Sequence, residues 1–196
     1  MFEPKYVITP KLLENIKRIA TLVAQLNSKR FPDIVLVDFE RKAREISAHS
    51  STSIEGNPLP LTEVKRLLKH TPEHARDSER EVLNYNRALM DLNELVRTGA
   101  IDMSLEMILK IHGMAMESLI EKFRIAKIRK EPVFVIDPRP RKPIYLPPDH
   151  QDVPGLMDEL IRFVREGGVQ HDPLITAGIF HKQFVIIHPF MDGNGR

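Results

Sequence analysis

The segment HPFMDGNGR, residues 188–196, combines several chemical groups that act together in phosphate chemistry. His188 precedes a proline, which disfavours helical geometry, so we expect a helix to end there and the imidazole to project into a loop. Asp192 supplies a hard carboxylate oxygen, and the glycine-rich run 193–195 permits positive φ angles and close backbone approach to a phosphate. Arg196 adds a cation suited to phosphate oxygens. Together these groups favour phosphoryl or nucleotidyl transfer.

The composition of the 196-residue chain is that of an ordinary globular protein, with 42% hydrophobic and 29% charged residues. Its formal charge of +2 argues against direct nucleic-acid binding, and the densest basic segment, residues 122–130, is interpreted as a solvated face. The chain has no cysteine, which excludes disulfides, a thiolate nucleophile and cysteine-ligated metals. No secretory signal and no apolar run of about 20 residues is visible, so we expect a cytoplasmic protein without membrane contact.

Apolar residues spaced three and four apart predict helices over most of the chain. The predicted helices are Lys11–Asn27, a stripe from Leu36 to Ile54, Glu63–Lys69 with Thr62 as cap, a helix behind a capping box of Ser78 and Glu81, one opened by Ser104, Val153–Val164, and Leu174–Ile187 with Asp172 as cap. We therefore expect an all-α fold.

One segment departs from the helical pattern. Its first half is β-branched or aromatic and consists of Val133, Phe134, Val135 and Ile136. A proline-rich turn separates it from Ile144-Tyr145-Leu146, so the pattern predicts a small β-hairpin, which its prolines keep at an edge. Such a hairpin on a helical body is either a flap that binds a partner or a plain connection.

The segment 188–196 resembles the signature of the Fic family, histidine-x-phenylalanine-x-acid-glycine-asparagine-glycine-arginine, at every specified position. The resemblance implies a mainly helical fold with a hairpin flap, an N-terminal helical region at residues 1–85 and a Fic core at residues 86–196. It also implies a protein adenylyltransferase, a nucleotidyltransferase that moves AMP from ATP to a serine, threonine or tyrosine hydroxyl of a target protein.

The resemblance assigns a role to each site residue. His188 matches the catalytic base and Asp192 matches the Mg²⁺ ligand. The residues that match the family's binding site for the ATP phosphates are Gly193, Asn194, Gly195 and Arg196. The segment 133–136 matches the flap that aligns the target by strand addition. Relatives in the family often self-associate, so a homo-oligomer is compatible with the resemblance.

A second motif, STSIEG at residues 51–56, resembles the family's inhibitory sequence. Ser51 and Glu55 lie four residues apart, which places both on one helix face. The resemblance implies that Glu55 takes the place of the ATP γ-phosphate, on an inhibitory helix at about residues 40–56. A solvated glutamate at a helix C-terminus is the alternative reading.

Several alternatives stay open at this stage. The family pattern continues to a second arginine, whereas this sequence stops at Arg196, so we expect a fragment with an incomplete and poorly active site. The same site could remove AMP or transfer another phosphate-containing group, or the chain could be a non-catalytic protein-binding regulator. A metal site of His181, His188 and Asp192 is one alternative, but a packed or surface role is preferred for His181 and a structural, packed role for His112.

Overall fold

The computed structural model of the chain describes residues 2–137, 142–167 and 171–195. The fold is mainly helical, as predicted. The helices are α1 (Pro10–Asn27), α2 (Asp33–Ile54), α3 (Leu61–Lys69), α4 (Asp77–Arg97), α5 (Leu105–Ala115), α6 (Val153–Arg162) and α7 (Pro173–Ile187). A π-helical turn, Phe163–Gly167, continues α6. None of the helices in the described ranges combines the length and apolarity needed to cross a bilayer.

Two helices begin at the caps that the sequence predicts. The Ser104 hydroxyl accepts a hydrogen bond from the backbone N–H of Met107 at 3.2 Å. Asp172 Oδ1 accepts one from the N–H of Leu174 at 2.9 Å, with Pro173 as the first residue of α7. Both caps satisfy N–H groups that have no partner within the helix.

Two other predicted caps are wrong. α3 begins at Leu61 behind an extended Pro60, so Thr62 lies inside the helix. α4 begins at Asp77, and the carboxylate of Glu79 accepts from the backbone N–H of Arg76 at 2.9 Å. Ser78 and Glu81 therefore both lie inside α4, and the Glu81 carboxylate accepts a hydrogen bond at 2.7 Å from the side chain of Asn57, in the loop after α2.

Most of the buried apolar side chains in the described ranges belong to two clusters. The first joins α2, α3 and α4 and comprises Ala48, Leu59, Val64, Leu67 and Val82. The second joins α5, α6 and α7 around residues that include Ile108, Met157, Leu160, Ile187 and Phe190. α4 passes through the predicted boundary at residues 85 and 86 and packs against α2, α3 and α5. Phe190, from the segment 188–196, is 2% exposed, so this segment is packed into the second cluster.

Two short strands lie between α5 and α6. β1 (Val135–Asp137) and β2 (Lys142–Tyr145) pair antiparallel, with Val135 opposite Tyr145. Residues 138–141, which join the strands, lie outside the described ranges. The Tyr145 hydroxyl donates a hydrogen bond to the carbonyl of Ile186 at 2.9 Å, so the end of β2 lies beside the C-terminal end of α7. The strand pair is therefore a neighbour of His188.

Candidate active site

His188 directly follows α7 and adopts a left-handed backbone conformation, with φ 52° and ψ 61°. Few residues other than glycine adopt this conformation, and those that do are concentrated at sites where the surrounding structure enforces it. The N–H of His188 still donates to the carbonyl of Phe184 at 2.9 Å, which closes the last turn. The helix ends where the sequence predicts, and the imidazole belongs to the loop.

The contact of the His188 ring with the backbone favours one tautomer. Its Nδ1 lies 3.4 Å from the carbonyl oxygen of Val185. Because a carbonyl only accepts, Nδ1 carries the proton and Nε2 keeps its lone pair. Burial lowers the pKa of His188; the Val185 carbonyl, Asp192 and Glu55 oppose this shift, while the charge of Arg129 adds to it. A neutral imidazole with a free Nε2 is the form that a general base requires.

Arg129 is a site residue that the sequence analysis missed. It is 2% exposed, and its guanidinium contacts backbone carbonyls. Nε donates to His188 at 2.8 Å, Nη1 to Glu131 at 3.2 Å and Nη2 to Pro148 at 2.6 Å. The backbone N–H of Arg129 also donates to the carbonyl of Pro189 at 2.9 Å. Arg129 therefore fixes the backbone on both sides of the His188–Pro189 bond.

The position of Arg129 has a simple electrostatic reason. The last carbonyls of a helix have no partner within the helix and carry partial negative charge, which a cation stabilises. Burial lowers the pKa of Arg129, but a guanidinium stays protonated at neutral pH. The prediction of a solvated basic face at residues 122–130 is therefore wrong for Arg129. Nothing in the local pattern separates it from its exposed neighbours Lys127 and Lys130.

His112, on α5, supports the loop from the protein interior. It is 4% exposed; its Nδ1 accepts from the N–H of Ala126 at 3.0 Å, and its Nε2 lies 3.0 Å from the carbonyl oxygen of Asp192. Its ring stacks on that of Phe190, with centroids 3.8 Å apart. Burial lowers the pKa of His112, which favours the neutral form that both hydrogen bonds need. The packed role that the sequence favours is correct, although its contact with the loop was not predicted.

The side chain of Asn194 closes the loop on itself. Its Oδ1 accepts from the N–H of Phe190 at 2.8 Å, and its Nδ2 donates to the carbonyl of Phe190 at 2.9 Å. Asn194 is 9% exposed. Its amide is therefore engaged within the loop, and a phosphate contact by Asn194 would have to come from its backbone N–H.

Gly193 and Gly195 both have close neighbours, but only Gly193 also has a positive φ. Gly193 has φ 80°, and a β-carbon there would come within 2.5 Å of the sulfur of Met116. A β-carbon on Gly195 would overlap the carboxylate of Glu55. The fold thus brings Glu55, at the C-terminal end of α2, against the glycine loop, although the two are far apart in sequence.

Ser51 lies one turn before Glu55 but has a different contact. Its hydroxyl donates to the phenolic oxygen of Tyr85 on α4 at 2.8 Å. α2 is thereby attached to α4 just before the turn that carries Glu55. Arg196 lies outside the described residues, so its predicted contact with phosphate stays a prediction.

Asp192 is exposed at the edge of the loop, and its Oδ1 accepts from the N–H of Gly193 at 2.6 Å. Within residues 2–137, 142–167 and 171–195, no group of three or more His, Cys, Asp or Glu side chains is arranged to hold a metal, and His181 is exposed. Mg²⁺ usually binds one or two carboxylates together with water and substrate phosphates. One exposed carboxylate beside the glycine loop fits that pattern.

The predicted flap residues lie before and within β1. Val133 and Val135 are half-buried, whereas Phe134 is 57% exposed. Ile136 contributes backbone to β1. β1 itself begins at Val135, two residues later than the apolar run suggests.

Comparisons with known proteins agree with this geometry. Residues 102–196 match the model of the Fic/DOC family. The chain is 27% identical over 160 residues to protein adenylyltransferase fic-1 of Caenorhabditis elegans, covering 80% of this chain and 30% of that protein. It is 25% identical over 204 residues to protein adenylyltransferase Fic of Aedes aegypti, covering 94% of this chain and 39% of the relative. The chain thus spans well under half the length of these relatives.

Solved structures extend the agreement to the whole fold. A Fic family protein from Desulfovibrio desulfuricans G20 superposes with a TM-score of 0.75 at 26% identity, covering 100% of this chain and 57% of that one. A Fic domain containing signaling protein from Bacteroides thetaiotaomicron superposes with a TM-score of 0.76 at 20% identity, covering 92% and 68%. Together with the matching motif and fold, the family model identifies residues 102–196 as a Fic/DOC family domain.

Proposed function

We propose that the site transfers AMP from ATP to a serine, threonine or tyrosine hydroxyl of a target protein. The observation that carries the proposal is His188, a neutral imidazole with a free Nε2, at the edge of a glycine loop suited to phosphate. The relatives from Caenorhabditis elegans and Aedes aegypti are named protein adenylyltransferases, which supports the same chemistry here.

In the proposed reaction, Nε2 of His188 takes the proton from the target hydroxyl as its oxygen attacks the α-phosphorus. The bond from the α-phosphorus to the bridging oxygen breaks, and pyrophosphate leaves with that oxygen. Backbone N–H groups of residues 193–195 bind phosphate oxygens, and Arg196 adds positive charge. Mg²⁺, when bound at Asp192, neutralises charge on the phosphates.

We further propose that Glu55 inhibits this reaction. Its carboxylate lies against Gly195, in the space that a bound phosphate group would approach. Two anions at one site repel each other strongly where water is partly excluded. ATP in a productive arrangement therefore requires Glu55 to withdraw, and the Ser51–Tyr85 and Asn57–Glu81 hydrogen bonds oppose that withdrawal because they attach α2 and the loop after it to α4.

The target protein is proposed to dock on the strand pair. β1 and β2 form a two-stranded sheet beside the end of α7, and such a sheet can pair with an extended segment through backbone hydrogen bonds. Residues 133–136 would then align a target hydroxyl with His188. The exposed ring of Phe134 offers an apolar contact for a target side chain.

The experiment that tests the function follows label from α-³²P-ATP with Mg²⁺ into protein, both the chain itself and an added protein mixture. We expect Glu55→Gly to incorporate label at least tenfold faster than the unsubstituted chain, and Glu55→Gly with His188→Ala to incorporate none. Mass spectrometry of the labelled protein should find AMP on a hydroxyl. Equal labelling after His188→Ala, or an adduct other than AMP, would refute the proposal.

One specific observation keeps AMP removal as a second candidate. A carboxylate beside the phosphate loop, as Glu55 is, can also orient a water molecule for attack on an AMP-modified side chain. In that case a pre-modified protein loses AMP with the unsubstituted chain but not with Glu55→Gly. A non-catalytic regulator would leave the phenotype of His188→Ala unchanged and give no transfer in either direction.

A further inference from the structure

A basic cleft lies between α2, α3 and α4 and shares no residue with the segment 188–196. Its volume is about 890 Å³. The cationic side chains that line it come from α2 and α3 and are Arg41, Lys42, Arg44, Lys65, Arg66 and Lys69. A cleft of this volume falls in the range of small-molecule binding sites.

Much of this positive charge has no compensating partner. On α2, Arg41 pairs with Glu45 at 2.6 Å, and Lys42 pairs with Asp38 at 2.7 Å. Across the described ranges, Arg44, Lys65 and Lys69 form no ion pair. Lys65 and Lys69 also lie four residues apart on α3, where like charges destabilise a helix. The pair of like charges therefore lowers the stability of α3.

The cleft also contains buried polar atoms that lack hydrogen-bond partners. They belong to three lining residues and are Arg44 Nε, Glu45 Oε2 and Asn86 Oδ1. Glu45 is only 5% exposed. Buried polar groups in folded proteins are nearly always hydrogen-bonded, so unpaired atoms grouped at one cleft need partners from water or from a bound ligand. Two of these atoms accept hydrogen bonds and one donates.

We propose that the cleft binds a small phosphorylated metabolite that carries hydroxyl or amine donors, such as a sugar phosphate. The phosphate groups pair with Arg44, Lys65 and Lys69, and the donors bond to Glu45 and Asn86. An acidic protein segment would use the same cations but would leave the recessed acceptors unpaired. This site is separate from the proposed transfer of AMP, and its test does not depend on that activity.

The experiment titrates ¹⁵N-labelled chain with fructose 1,6-bisphosphate and follows individual backbone amides by NMR. We expect saturable shifts of the amides of Arg44, Lys65 and Asn86 and no comparable shifts with sodium chloride at equal ionic strength. Asn86→Ala removes an acceptor without changing charge and should weaken binding at least threefold.

Two double variants with the same change in charge supply the matched comparison. Lys65→Ala with Lys69→Ala should weaken binding at least tenfold, whereas Lys11→Ala with Lys17→Ala, both exposed on α1, should leave it unchanged. The proposal is overturned if the cleft amides do not saturate, if both double variants weaken binding equally, or if a ten-residue polyglutamate peptide binds these residues more tightly than the bisphosphate.

Discussion

Nε2 of His112 lies 3.0 Å from the carbonyl oxygen of Asp192, so a buried residue of α5 holds the loop residue that carries the candidate metal ligand. The N–H of Ala126 donates to the opposite ring nitrogen, which leaves Nε2 as the donor to Asp192. The ring stacks on Phe190. Loop geometry is therefore coupled to the protonation state of a histidine that takes no part in the proposed chemistry.

This coupling predicts a pH dependence of stability. The pKa of folded His112 lies below its ordinary value, so the unfolded chain binds the proton more readily. The stabilising contribution is full above the ordinary pKa near 6.5 and is lost as pH falls toward the folded value. His112→Phe should flatten the dependence of the free energy of unfolding between about pH 7 and 5.

The measurement is urea denaturation at several pH values. Because the pKa of His188 is also lowered, the protein with His112 and the His112→Phe variant should both carry His188→Ala, so that they differ only at residue 112. His112→Phe should also cost about 1–3 kcal/mol at neutral pH, since the Asp192 carbonyl and the Ala126 N–H lose a buried partner. If the free energy of unfolding depends on pH equally with and without the His112→Phe substitution, His112 is not the group that causes the dependence.

Arg129→Met should destabilise the fold. The partly buried carbonyls that the guanidinium now contacts would lose this partner, which we expect to lower the free energy of unfolding by about 2–4 kcal/mol. The matched control is Lys130→Met, at an exposed neighbour, which should change it by less than about 0.5 kcal/mol. Equal effects of the two substitutions in urea denaturation would show that the carbonyl contacts of Arg129 contribute little.

Glu55→Gln should lower the pKa of His188 further. The Glu55 carboxylate favours the protonated imidazole, and the glutamine has nearly the same shape without the charge. The shift can be followed by NMR titration of the His188 ring, independently of any reaction. Glu63→Gln, on α3, serves as a control for charge alone and should leave that pKa in place. If Glu55→Gln leaves the pKa of His188 unchanged, the Glu55 carboxylate lies farther from the imidazole ring in solution than in the structure.

Gly193→Ala should destabilise the loop, because residue 193 has a positive φ and a new β-carbon would meet the sulfur of Met116. We expect a loss of about 1–3 kcal/mol in thermal or urea denaturation. Gly155→Ala is the matched control, since Gly155 lies inside α6 with nothing within 4 Å of the new carbon. That change should stabilise the chain by about 0.5–1 kcal/mol, because alanine is the better helix former. If both substitutions change the stability in the same direction, the predicted strain and clash at residue 193 are wrong.

Local signals in the sequence predicted local structure well. Ser104 and Asp172 cap their helices through N–H groups two or three residues away, and His188 ends α7 beside a proline. Thr62 and Ser78 failed as caps because the same residue types also occur inside a first turn. Which polar residue becomes the cap depends on where the preceding chain is extended.

The supports of the site could not be predicted in the same way. Arg129 reaches His188 across 59 positions of sequence, and His112 reaches Asp192 across 80. Neither residue lies in a motif, and a single basic or aromatic residue carries no sign of a distant backbone partner. Glu55 could be predicted because, unlike these two residues, it lies in a recognisable motif. Its contact with Gly195 could not, because that contact depends on how α2 packs.

The proximity of Gly195 and Glu55 also constrains how the sequence can change over time. A β-carbon at position 195 would overlap the carboxylate at position 55 where that carboxylate now lies. A lineage can therefore gain a side chain at 195 if the Glu55 side chain turns away from the loop or if the glutamate is lost. Position 195 is freer to vary in a sequence that has already lost the glutamate at 55.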